Sequence, residues 1–151
     1  MLKDKIITGT LIGILADGFK LISNYIMYLM GLTDIVFWQI AASRFLSKED
    51  LLKPAALFIG AIADITVTSF LGVVFILIIY FFSKDYIWIK GIGFAMFVWV
   101  SLFGTLLSLE LQNKIPQKIS GIIVTIIAHF IYGLGFALFT SILYNEEKRT
   151  K

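Results

Sequence analysis

The chain has no cysteine, one histidine and two prolines, and only 15% of its residues are charged. Without cysteine there are no disulfides, thiolate zinc sites or iron–sulfur clusters. The one histidine, His129, has no H-E-x-x-H pattern around it, which argues against a metallohydrolase, and no metal site is expected. No G-x-S-x-G nucleophile elbow occurs. The Gly-x-Gly-Asp pattern of intramembrane aspartyl proteases fails as well: Ile14-Leu15-Ala16 precedes Asp17 and Ala61-Ile62-Ala63 precedes Asp64. Gly91-Ile92-Gly93 lacks the further glycine and the preceding strand of a phosphate-binding loop. No catalytic residue and no cofactor is therefore expected. A membrane enzyme acting on lipid would have only Asp17, Asp64, Glu110 and His129 for acid–base work.

A clustered basic face is also missing. Thirteen Lys/Arg against ten Asp/Glu give a net charge of +3, but the basic residues are scattered at the ends of apolar segments. That pattern excludes a nucleic-acid surface and matches charges flanking membrane spans, where they meet lipid phosphates.

What the chain does have is apolar length. Hydrophobic residues make up 59% of it, above the roughly 45–50% of soluble domains. A span needs about 20 mainly apolar residues, and four stretches qualify: 6–30, 54–83, 88–112 and 119–144. The predicted fold is all-α, one domain over 1–151, an integral membrane four-helix bundle. Lys3 and Lys5 before an apolar run imitate a signal peptide. Asp17 and Lys20 interrupt that run and no small-x-small site follows, so the segment is expected to stay. Ser47-x-x-Asp50 resembles a capping box ahead of the second span, with Pro54 in its first turn, and Pro116 plays the same part before the fourth. Tyr80, Tyr86, Trp88 and Tyr144 fall at segment ends, where amphipathic rings favour the headgroup zone.

Residues 34–47, between the first two spans, are too few to cross and too apolar for a free loop. Gln39, Ser43 and Ser47 give them one narrow polar stripe. The expectation is a short interfacial helix, with a re-entrant segment packed on the bundle as the alternative. Four spans place both termini on one side. With the 84–90 loop that side holds Lys3, Lys5, Lys84, Lys90, Lys148, Arg149 and Lys151; the other holds Arg44, Lys48, Lys53, Lys114 and Lys118. The bias favours cytoplasmic termini in a multi-pass cell-membrane protein.

Each span carries small or polar residues at three-to-four spacing, which is one helix face. The lines are Gly9, Gly13, Asp17, Lys20, Asn24; then Gly60, Asp64, Thr68, Gly72; then Ser101, Thr105, Ser108, Gln112; and Gly121, Thr125, His129, Tyr132/Gly133. Hydrocarbon offers such groups no hydrogen-bond partner, so the four faces are expected to meet inside. Asp17, Asp64 and His129 stand ten or eleven residues into their segments, roughly 15–17 Å along the helix and near the midplane of a 30 Å core. Asp17 and Asp64 also end two copies of Ile-Gly-x-x-Ala-Asp, which would face each other with inverted direction, as repeats do in transporter folds.

An ionisable side chain at that depth costs about 2.5–3.5 kcal/mol and needs a partner or a task. Asp17 and Lys20, at i and i+3, form one expected pair; Asp64 and His129 are the expected second. Asp17, Lys20, Asn24, Asp64, Thr68, Thr125 and His129 thus make a candidate polar core or proton and ion pathway. Gly9, Gly13, Gly60 and Gly133 are read as close-packing positions. Buried polar groups that only hold helices together are the competing reading for all of them.

Lys90-Gly91-Ile92-Gly93 with Trp99, followed by His129-Phe130-Ile131-Tyr132-Gly133, resembles small four-span membrane proteins of spore-forming Gram-positive bacteria, the YqhR type among them. The resemblance covers about the last 60 residues and implies the same topology in a bacterial cell membrane. It implies no activity and no functional residue. The expected role is non-enzymatic: a polar core stabilising the bundle, and partners that are lipid, a second copy or another membrane protein. The alternative is a small proton- or cation-coupled transporter or channel using Asp64 and His129.

Overall fold

A computed structural model describes residues 4–106, 113–114 and 118–144. Among these residues the chain is helical and contains no strand. Helix α1 spans Lys5–Leu29, a short α2 spans Phe37–Ala42, α3 spans Pro54–Phe82, α4 spans Ile87–Ser101 and α5 spans Ile119–Leu143. A 3-10 turn, Lys48–Asp50, precedes α3, and α4 runs on into a π turn, Leu102–Leu106. Four helices, α4 taken with its extension to Gly104, are long and apolar enough to cross a membrane. The predicted third span reaches further, to residue 112, and its last six residues lie outside the described ones, as does Pro116.

The helix ends follow from local chemistry. Asp4 caps α1 by accepting the Ile6 and Ile7 N–H groups at 2.7 and 3.0 Å. Pro54 opens α3, where its missing N–H costs nothing. Ser47 does not form the expected capping box. Its hydroxyl donates to the Asp50 carboxylate at 3.0 Å, and the chain between them makes the 3-10 turn. Lysines finish α3 and α5: Lys90 Nζ donates to the Phe82 and Ser83 carbonyls, and Lys84 Nζ to those of Ser141 and Tyr144. These are the last-turn oxygens a helix leaves without partners.

Helix α1 packs on both α3 and α5, and α4 packs on α5. Glycines set the close approaches. A Cβ on Gly72 would collide with the Gly9 carbonyl oxygen, and one on Gly13 with that of Thr68, so α1 and α3 run antiparallel with backbones touching. Gly133 and Gly91 bring α5 against α4 in the same way. Two apolar clusters form around these crossings. One contains Ile12, Phe75, Ile76, Ile79, Tyr132 and Phe136, and Tyr144 is buried with it; the other contains Met27, Ile35, Phe37, Ile40, Val124 and Ala128.

Helix α2 is shorter and more enclosed than a helix over 34–47 would be. Ile35, Phe37, Ile40, Ala42 and Ser43 are all buried. Two of the three stripe residues bond backbone, while Ser47 is exposed: Gln39 Oε1 accepts the Val36 N–H, Gln39 Nε2 donates to the Leu51 carbonyl, and Ser43 donates to the Ile40 carbonyl. Gly60 of α3 admits this segment, since a Cβ there would strike the Trp38 carbonyl.

Candidate functional site

Lys20 is the centre of the polar interior. Its Nζ lies 2.8 Å from Asp64 Oδ1, a hydrogen bond that ties α1 to α3, and 2.7 Å from Asp17 Oδ1. The Asp17 contact is ionic without hydrogen-bond alignment, since that oxygen has no hydrogen-bond partner among the described residues. Exposure is 4% for Lys20, 2% for Asp17 and 11% for Asp64. Two rings complete the shell: the ammonium stands 4.8 Å from the Phe37 ring centre and 5.3 Å from that of Tyr132. An ammonium over an aromatic face is attracted by the ring quadrupole, more so where water is excluded. One lysine therefore gathers α1, α2, α3 and α5.

Of the residues named from sequence, the structure brings Asp17, Lys20 and Asp64 together. It does not pair Asp64 with His129. The His129 ring instead has Nδ1 2.9 Å from the Thr125 carbonyl, one turn back on α5. A carbonyl only accepts, so Nδ1 carries the hydrogen. The ring is buried against Phe37, Phe103 and Tyr132, with centroids 5.5, 5.4 and 6.2 Å away. The expected pair fails for a geometric reason: Lys20 reaches Asp64 first, and Phe37 of α2 packs against both the ammonium and the imidazole.

The remaining candidates have local duties. Thr125 donates to the Ile122 carbonyl at 2.7 Å and accepts the Trp99 indole N–H at 3.0 Å, linking α5 to α4. Thr68 donates to the Asp64 carbonyl within its own helix. Asn24 reaches across to α2: its Oδ1 accepts the Phe37 N–H at 3.0 Å, satisfying a donor at the start of that helix. Ser101 is partly buried on α4; Ser108, Glu110 and Gln112 lie outside the described residues.

Two members of the lysine shell stand outside the residues named as the candidate polar core. Tyr132 stands on the fourth polar stripe, three residues after His129, and that spacing was the available signal. Phe37 had none, because its place over Lys20 depends on how α2 folds back. Several polar atoms around the cluster are buried without a hydrogen-bond partner among the described residues: Asn24 Nδ2, Trp38 Nε1, Asp64 Oδ2 and the Tyr132 hydroxyl. In most proteins such atoms are few and call for an explanation. No His/Cys/Asp/Glu group suited to a metal ion occurs among the described residues. Comparison of the chain with protein-family models, with curated proteins and with solved structures found no match.

Proposed function

We propose that this is a multi-pass protein of a bacterial cell membrane, without enzymatic activity, whose charged interior fastens the helices of a four-helix bundle while its outer faces meet lipid or a membrane partner. The observation that carries this reading is an inverted distribution of polarity. Phe58, Phe70, Phe97 and Ile89 are between 66% and 70% exposed, whereas Asp17, Lys20 and His129 are buried. In water such apolar exposure is a liability; in hydrocarbon it is the expected outer surface. The termini lie on the cytoplasmic side, with Arg44 and α2 toward the other. The absence of cysteine makes this testable by labelling. Single-cysteine variants Lys5→Cys, Arg44→Cys and Asp85→Cys are treated with a membrane-impermeant maleimide in intact cells. Arg44→Cys should label, and the other two only after lysis. Labelling of all three in intact cells would refute the topology.

A second reading, proton- or cation-coupled transport, is favoured by one specific observation: two buried carboxylates share a single lysine. Ion pathways are where uncompensated charge is retained inside a membrane protein. In this reading Asp64 is the carrier and Lys20 its counter-ion, with His129 set aside because it binds Thr125. Proteoliposomes should show flux that disappears in Asp64→Asn; under the first reading the same variant folds and keeps its cellular role.

A further inference from the structure

We propose that the Asp17–Lys20–Asp64 cluster binds one proton, held between its two carboxylates. The first support is charge. One ammonium meets two carboxylate oxygens at 2.7 and 2.8 Å, and the three side chains are 4%, 2% and 11% exposed. With all three ionised, one negative charge stays uncompensated away from water, an arrangement proteins avoid by neutralising the group. A proton removes that charge without moving any helix.

The second support is independent of charge. The Tyr132 hydroxyl, on a residue 1% exposed, has no hydrogen-bond partner among the described residues, and its ring faces the same ammonium. Asp64 Oδ2 is buried and equally without a donor. An ionised carboxylate only accepts, and Asp17 Oδ1 and Asp64 Oδ2 each lack a hydrogen-bond donor among the described residues, which one proton shared between the two carboxyl groups would supply. A metal cation suits the place less. Hard cations such as calcium and magnesium take about six oxygen ligands, more than two carboxyl groups already engaged by lysine and one phenol supply. The titratable groups facing the cluster are Asp17 and Lys20 on α1, Asp64 on α3, and His129 and Tyr132 on α5. Helix α2 contributes Phe37, which does not titrate.

This inference rests on the uneven charge count behind the transport reading but requires no flux, and the two fail separately. The test is infrared spectroscopy of the full-length protein in lipid nanodiscs at neutral pH, reading the C=O stretch of a protonated carboxyl and its shift in heavy water. Wild type should show one such carboxyl per chain. Asp17→Asn and Asp64→Asn should each show none, because either leaves a single carboxylate matched to Lys20. Should one variant not fold, the other and the wild-type band still decide. Absence of the band in wild type overturns the proposal. So does its survival in both variants, or its appearance only when sodium is replaced by choline, which would make the bound charge a metal ion. A band without flux removes transport and keeps the proton site; flux without a band does the reverse.

Discussion

Where α3 turns into α4, Phe75, Phe94 and Phe136 meet with ring centres 4.8–5.4 Å apart, and two lysines close the nearby helix ends from outside. At the other end the interior is polar: an ion triad, an asparagine bonded across helices and polar atoms without a hydrogen-bond partner among the described residues gather near a six-residue helix. Ring stacking needs only that apolar shapes fit. Buried charge needs a partner, a wall against water and a backbone that lets the partner approach. Here Asp64 is the partner, Phe37 is part of the wall, and Gly60 is the permission. Helix α2 is therefore as much a piece of the charged site as the aspartates are.

The largest expected effect tests the charged end directly. Lys20→Met removes the only cation in the triad and leaves two carboxylates facing each other. Loss of one partner from a buried ion group costs about 3–5 kcal/mol. Unfolding in mild detergent should show the change as a lowered midpoint or as failure to accumulate; an unchanged midpoint would mean the lysine is dispensable. Next comes the wall. Gly60→Ala places a methyl group against the Trp38 carbonyl, and such overpacking costs about 1–3 kcal/mol. Amide hydrogen exchange in residues 37–42 should quicken while α4 and α5 keep their protection. If exchange quickens evenly throughout, α2 is not a separate cover.

The comparison also shows which parts of the molecule a sequence can announce. The long helices were legible because apolar runs of this length have few alternatives, and the boundary at Pro54 carries a local signal that no distant contact alters. Asp17 and Lys20 were legible as a pair because they are one turn apart on one helix. The third member was not. Matching Asp64 with His129 assumed that Asp17 alone takes Lys20, whereas Lys20 is long enough to serve two carboxylates on two helices. The stripe of Gln39, Ser43 and Ser47 suited an interfacial helix because polarity alone does not say which way it points. Its first two members bond backbone inside the protein, Gln39 to Val36 and Leu51 and Ser43 to Ile40. Asn24 belonged to the same blind spot, since its partner is a backbone N–H of a helix thirteen residues on.

Asn24→Ala probes that bond with a smaller effect. It removes the acceptor of the Phe37 N–H, and one such hydrogen bond contributes about 0.5–1.5 kcal/mol net. The variant should resemble Gly60→Ala in hydrogen exchange over 37–42, with a smaller fall in the unfolding midpoint. Enhanced exchange only near residue 24 would detach Asn24 from the hold on α2.

The smallest effect lies outside the helices, at the turn leading into α3. Lys53 and then Ser47 hydrogen-bond the Asp50 carboxylate and hold it below the ordinary carboxylate range. A carboxyl lowered in the folded state stabilises above its unfolded value and loses that contribution as pH falls through the folded one. The Asp50 side chain is 41% exposed at the surface, so water and salt screen most of the interaction. Wild type and Asp50→Ala should therefore differ slightly in unfolding midpoint at neutral pH. The gap should narrow as pH drops below the usual aspartate range and shrink further in high salt. A gap that widens on acidification would reverse the sign of the linkage, and a pH-independent gap would place the contribution of Asp50 in the shape of the 3-10 turn. The second result would also show that the flanking turns, unlike the buried triad, contribute little through charge.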